Sequence, residues 1–201
     1  MSRISGKNIV LGVTGGIAAY KACDLVRRLI REKASVEVVM TKNATEFVSP
    51  LTFQTLSGKR VAIETFDLEW ESGIGHIGLA DRADMIVVAP ATAAFIGKAA
   101  SGIADNLLTT VLLATKAPVM VCPAMNVNMY SNPVVQENIE RLKKRGFIVV
   151  EPEEGSLACG WEGKGRLPET GEIVEEIERA FSPKDLSGER ILVTAGATRE
   201  F

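Results

Sequence analysis

Apolar residues in this chain fall into two alternating patterns, short unbroken runs and stripes at helical spacing. Residues 9–13 (IVLGV) form a continuous run, as a parallel strand buried on both faces does. Residues 18–31 then place Ala22, Leu25, Val26 and Leu29 on one helix face. The sequence continues with a strand at 36–40, a helix over 44–56 interrupted at Pro50, and a short strand at 61–63. Residues 70–78 read as a glycine-rich loop holding His76, followed by a short helix to Asp81 or Arg82. A central strand is predicted at 85–89, helices at 92–100 and 105–115, and a strand at 119–122. Pro133 opens a helix at its first turn, and Gly146 follows its last residue, Arg145. A strand at 147–150, a long glycine-rich loop at 151–168 and a helix at 172–181 complete the unit. This alternation predicts an α/β fold: a three-layer, flavodoxin- or Rossmann-like parallel sheet with helices on both faces. Residues 182–188 read as a linker. Residues 190–196 then begin a second strand and turn that echo residues 9–16, so the expected division is 1–181 and 182–201.

Three loops fall at predicted strand ends, where open α/β sheets bind ligands. The first is Gly12-Val13-Thr14-Gly15-Gly16, the second Pro90-Ala91-Thr92-Ala93, the third Pro123-Ala124-Met125-Asn126. A strand, a tight glycine turn and a helix N-terminus present backbone N–H groups to a phosphate. A turn of this kind also serves in proteins with no ligand, so it does not decide the matter alone. The dinucleotide fingerprint G-x-G-x-x-G fails, because Thr14 stands at the middle glycine. Nor does the second strand end in the acid that a nicotinamide site uses; Met40-Thr41-Lys42 offers a hydroxyl and a cation, which suit a phosphate better.

Composition narrows the classes. Hydrophobic residues make up 46%, charged residues 24% and aromatics 5%, which fits an aliphatic α/β core. The net charge of −2 provides no electrostatic footprint for nucleic acid. No apolar run reaches membrane-spanning length and no secretory h-region precedes the first strand, so a cytoplasmic location is expected, with no membrane partner. Three cysteines and a single histidine have no metal-ligand spacing, so neither disulfides nor a metal site is expected.

His76 lies among glycines, away from any apolar stripe. A helix start just beyond it favours neutral imidazole, able to act as a base or orient an acidic group; an ordinary loop histidine is the plainer alternative. Asn126 can hydrogen-bond a carboxylate or amide, or simply satisfy its own turn; Asn128 is a weaker version of the same. Cys159 sits in a glycine-rich polar loop, unlike a buried packing cysteine, and can exchange a proton if that loop closes over a site. Cys23 and Cys122 read as packing residues. Lys164 and Arg166 flank glycines and read as solvated.

Taken in order, GVTGGIAAYK at 12–21, His76 in its glycine segment, Pro90-Ala91-Thr92-Ala93, the run PAMNVNMY at 123–130 and Ala158-Cys159-Gly160 carry a family resemblance. The chain resembles the flavin-dependent cysteine decarboxylases, in particular the bacterial phosphopantothenoylcysteine decarboxylase domains of coenzyme A biosynthesis, over residues 5 to 181. Some members carry P-x-S-A-N-T where this chain has Thr92-Ala93-Ala94-Phe95. Residues 185–200 resemble the start of a fused synthetase domain, which fits a chain ending just inside a second domain. The resemblance implies FMN as cofactor, with Gly15, Gly16, Ile17, Thr41, Thr92, Ala93 and Ala124 lining its site. It implies 4'-phosphopantothenoylcysteine as substrate and 4'-phosphopantetheine as product, reached through a thioaldehyde and then an enethiol. It gives His76 to the oxidative decarboxylation, Asn126 to the substrate carboxylate or amide, and Cys159 to the final protonation. It also implies a homo-oligomer, a trimer or a dodecamer built of trimers, with flavin near the subunit contact. Three rival readings are a flavin prenyltransferase, a non-enzymatic flavoprotein regulatory subunit and a nicotinamide-dependent oxidoreductase. The first lacks a matching arginine-rich C-terminal motif, and retention of His76, Asn126 and Cys159 together speaks against the second. Thr14 and Thr41 disfavour the third.

Overall fold

A computed structural model describes residues 2–65, 75–156, 160–183, 185, 188–190, 192–194 and 196. Five parallel strands form the main sheet: β1 (Asn8–Val13), β2 (Ser35–Met40), β3 (Met85–Ala91), β4 (Val119–Pro123) and β5 (Ile148–Val149), in the order β2-β1-β3-β4-β5. Side chains alternate across it, as the two-residue period of a strand requires. Ile9, Leu11 and Val13 of β1 join Met85, Val87 and Ala89 of β3 on one face, under α1 (Ala19–Arg31) and α8 (Thr170–Ala180). Val10, Ile86 and Val88 face the other way, under α3 (Gly75–Arg82), α4 (Ala93–Ser101), α5 (Leu107–Ala114) and α7 (Pro133–Lys144). Every residue of β3 is buried, which explains its unbroken apolar run. The expected three-layer architecture is therefore present.

Local chemistry sets the element ends. Pro50 occupies the first turn of α2 (Pro50–Ser57), capped by Ser49, so the interruption expected there separates this helix from a 3-10 turn at Lys42–Glu46. Thr92 caps α4 and Asn106 caps α5, the latter with a reciprocal bond to Thr109. Pro133 opens α7, and Gly146 beyond it has φ +87°. The expected strand at 61–63 reduces to one parallel bridge, Val39 with Ala62.

Two segments differ from expectation. Residues 75–78 are helical, because α3 buries Leu79 and Ala80 and packs against α5; that burial overrides the low helix propensity of Gly75 and Gly78. The loop expected over 151–168 contains an antiparallel hairpin, β6 (Glu153–Ser156) with β7 (Glu162–Arg166). Its glycines and charged residues carry no apolar alternation, so no strand signal showed. Cys159 lies between these strands in sequence and outside the described residues. Of the strand expected at 190–196, Arg190, residues 192–194 and Gly196 are described, and none is in a strand. Leu192 and Val193 are exposed there.

Candidate cofactor and active site

The chain passes from β1 to β2 on one side, then crosses to β3 on the other, which makes the carboxyl ends of β1 and β3 a topological switch point. A cleft of about 700 Å³ opens there. Three strand ends and the hairpin line it: residues 15–18 after β1, Pro90 near the end of β3 with Thr92 and Ala93 just beyond it, residues 124–126 after β4, and Gly165, Arg166 and Leu167 at the end of β7.

Thr14 explains why the dinucleotide fingerprint breaks. Its side chain is buried, its hydroxyl donates to the Pro90 carbonyl at 2.7 Å and accepts from the Thr92 N–H at 3.0 Å. One hydroxyl thus ties the β1 loop to the β3 loop. Gly15 is a glycine because Asn43 lies against it; a Cβ there would overlap Asn43 Cβ and come within 2.9 Å of its backbone. At Gly16, by contrast, a Cβ would meet only Thr92 Cγ2, at 3.6 Å. Among the described residues, no hydrogen bond is made by the backbone N–H groups of residues 15–18, which precede α1. They are the orphan donors of a helix start, disposed to receive an anion.

The other wall rests on the hairpin. The Gly165 carbonyl accepts the Met125 N–H at 2.9 Å, and a side chain at Gly165 would overlap the Met125 carbonyl. Asn126 caps the short helix α6 (Val127–Tyr130), accepting the Asn128 N–H at 2.8 Å, and it also lines the cleft. The turn-capping reading of Asn126 is thus met, and its place on the cleft leaves the substrate-binding reading open. Behind this wall, Glu151 accepts hydrogen bonds from Tyr130 at 2.5 Å, Lys164 at 2.8 Å and Lys143 at 3.0 Å. Partial burial raises its pKa, but these donors outweigh it and hold the carboxyl down at about 2. The Tyr130 hydroxyl is pushed up, by burial first and then by its bond to Glu151.

The structure brings together Gly15, Gly16, Ile17, Thr92, Ala93, Ala124 and Asn126 in one cleft. It does not put Thr41 or His76 among the lining residues. Thr41 follows β2, its N–H bound to the Val13 carbonyl at 3.0 Å, and its buried hydroxyl has no partner among the described residues. His76 is half-buried in the first turn of α3, and its buried Nδ1 likewise has no partner there. Cys122 is buried in β4 with its thiol pKa pushed up by desolvation, a packing role. Sequence reasoning gave no role to Tyr20, Lys21, Met125, Met129 or residues 165–167, all of which line the cleft. The helical spacing Ile17–Lys21 carried a signal for Lys21; nothing local marked the hairpin. No helix among the described residues is long and apolar enough to cross a membrane.

A flavodoxin-like sheet order, a cleft at its switch point, N–H donors at one end with no partner among the described residues and apolar walls suit a flat, phosphorylated ligand. The chain belongs to the flavoprotein family, whose model matches residues 2–182. It is 52% identical over 200 residues to the coenzyme A biosynthesis bifunctional protein CoaBC of Bacillus subtilis, covering 98% of this chain and 49% of that protein. The CoaBC of Escherichia coli is 47% identical over 198 residues, again with 98% and 49% covered. The chain thus spans about half the length of these relatives. Among solved structures, a cysteine-to-serine mutant of PPC decarboxylase complexed with pantothenoylaminoethenethiol matches with a TM-score of 0.77 and 32% identity, over 88% of this chain and 98% of that one. The FMN binding protein AtHal3 matches with a TM-score of 0.74 and 33% identity, over 87% and 96%.

Proposed function

We propose that this chain is an FMN-dependent decarboxylase that converts 4'-phosphopantothenoylcysteine to 4'-phosphopantetheine in coenzyme A biosynthesis. The observation that carries the reading is the cleft itself: N–H groups at residues 15–18 with no partner among the described residues on one wall, and Asn126 on the other. Relatives near 50% identity that bear the CoaBC name, and a PPC decarboxylase of the same fold, support it.

The residues present fit FMN. The N–H groups of residues 15–18, which have no partner among the described residues, supply donors for its phosphate. Small residues at Gly16, Ala93 and Ala124 leave room for a flat ring. When bound, FMN supplies the two-electron oxidation of the substrate's thiol-bearing carbon and the later return of a hydride. The chain's own groups do the rest. Asn126 hydrogen-bonds the substrate carboxylate or amide and sets its orientation. The His76 imidazole takes the proton released from the substrate thiol as that carbon is oxidised. The carboxylate, now β to a thiocarbonyl, leaves as CO₂, and the Cys159 thiol protonates the resulting enethiolate carbon. Because His76 does not line its own chain's cleft, the reading has it enter the cleft of a neighbouring protomer in a homo-oligomer.

An absorption scan of the purified chain tests the cofactor, and CO₂ release on adding 4'-phosphopantothenoylcysteine tests the reaction. A flavin spectrum with stoichiometric CO₂ is the expected result. A flavin spectrum without CO₂ leaves a binding protein, and no flavin removes the reading altogether.

A further inference from the structure

Among the described residues lining the cleft, the charged ones are Lys21 and Arg166, both cations; they come from α1 and β7, and their head groups meet at the same Glu169 Oε1. Lys21 lies one helical turn from Ile17, beside the glycine turn. Its ammonium is fixed by the Leu167 carbonyl at 3.3 Å and Glu169 at 3.0 Å, with only 14% of the side chain exposed. Arg166 ends β7, next to the Gly165 carbonyl that binds Met125, and so borders the loop carrying Asn126. Its Nη2 donates to Glu169 at 2.6 Å and its Nε lies 3.6 Å from Glu153. Glu169, pulled below the usual carboxylate range first by Lys21 and then by Arg166, stays ionised and steers the guanidinium. Nη1 lies 3.9 Å from where a Cβ on Gly155 would stand, and it has no partner among the described residues.

We propose that Arg166 is a specificity-determining residue that recognises the phosphate at the far end of the substrate. The inference rests on the function proposed above. That substrate carries two anions at opposite ends of an extended molecule, a cysteine carboxylate and a phosphate monoester, while the cofactor brings a second phosphate. The orphan N–H groups at the glycine turn suit the cofactor, while the Lys21 ammonium is already taken up by the Leu167 carbonyl and Glu169. Asn126 suits the cysteine end, where a fixed cation would oppose loss of the carboxylate's charge as CO₂ departs. That leaves Arg166, at the hairpin edge of the same wall, for the remaining phosphate. A guanidinium fork offers a phosphate paired N–H donors, and Glu169 holds the fork without covering Nη1.

The test compares the chain loaded with FMN, and its Arg166→Ala, Arg166→Gln and Arg166→Lys variants, on 4'-phosphopantothenoylcysteine and on the same compound lacking its phosphate. The readout is the ratio of kcat/KM for the two substrates, with flavin content measured in each variant. Wild type should prefer the phosphorylated substrate. Arg166→Ala and Arg166→Gln should lower that preference about tenfold or more, through KM, and Arg166→Lys should restore part of it. Should the alanine variant fail to fold, the glutamine and lysine variants carry the same ratio. An unchanged ratio overturns the inference, as does loss of flavin from folded Arg166→Gln protein, which makes Arg166 a cofactor anchor. If wild type releases CO₂ from neither substrate, the proposed activity falls first; if it turns over both without preference, only the role of Arg166 falls.

Discussion

On the β1–β3 side of the cleft, Thr14 is 1% exposed and its hydroxyl is bonded on both sides, while Gly15 lies against the backbone of Asn43. On the β4–β7 side, the hub is Glu151, whose side chain is 43% exposed and bonded to Lys143, Lys164 and Tyr130. The first wall is backbone held by close packing and buried hydrogen bonds, which salt and pH barely reach. The second is a hairpin that meets Met125 through one backbone hydrogen bond and is otherwise braced by charged side chains that water screens. The difference matches the proposed labour. A cofactor that stays bound needs fixed donors, whereas a substrate that enters and leaves needs a wall that yields.

The largest expected effects concern the two residues that belong to neither wall. His76→Asn should keep its yellow FMN yet lose CO₂ release by about 10²-fold or more, as removal of a proton acceptor does; a rate near wild type would take His76 out of the reaction. Cys159→Ser should release CO₂ and then stall, accumulating an oxidised enethiol product visible by mass spectrometry. Normal turnover to the thiol would remove Cys159.

Next come the two positions of the rigid wall. Gly15→Ala must displace Asn43 and should cost about 1–3 kcal/mol as overpacking, with loss of flavin, read by denaturation and absorbance. Thr14→Val leaves the Thr92 N–H without its acceptor and should cost about 1–3 kcal/mol, with weaker flavin retention. If either variant is as stable as wild type and equally yellow, this wall is not held as described.

The smallest effect belongs to the soft wall. Glu151→Gln should cost only about 1 kcal/mol at neutral pH, because the group is partly solvated. The Glu151 carboxyl is held at about 2 in the folded chain, below the ordinary 4.5, so its contribution is present above pH 4.5. It is lost as pH falls toward 2, and wild type and variant should converge there. Added salt should narrow the gap at neutral pH. A gap independent of both pH and salt would assign Glu151 a packing role.

The elements that sequence patterning found are those whose side chains carry the signal. Strands β1 and β3 are apolar on both faces, and α7 is bracketed by Pro133 and Gly146. The small residues at 15–16, 92–93 and 124 marked the cleft floor because close backbone approach needs them. The hairpin escaped because backbone pairing and cross-strand charges such as Arg166–Glu153 form it, with no apolar alternation to reveal it. With it went Gly165, Arg166 and Leu167. Residue 76 was placed in a loop because Gly75 and Gly78 flank it; only the packing of α3 on α5 makes that turn helical.

The central claim is that flavin sits between the ends of β1, β3 and β4. A crystal structure of the FMN-loaded chain tests it directly. The account predicts the phosphate on the N–H groups of residues 15–18 and the ring system against Thr92, Ala93 and Ala124. Flavin bound elsewhere, or a phosphate turned away from the glycine turn, would contradict it.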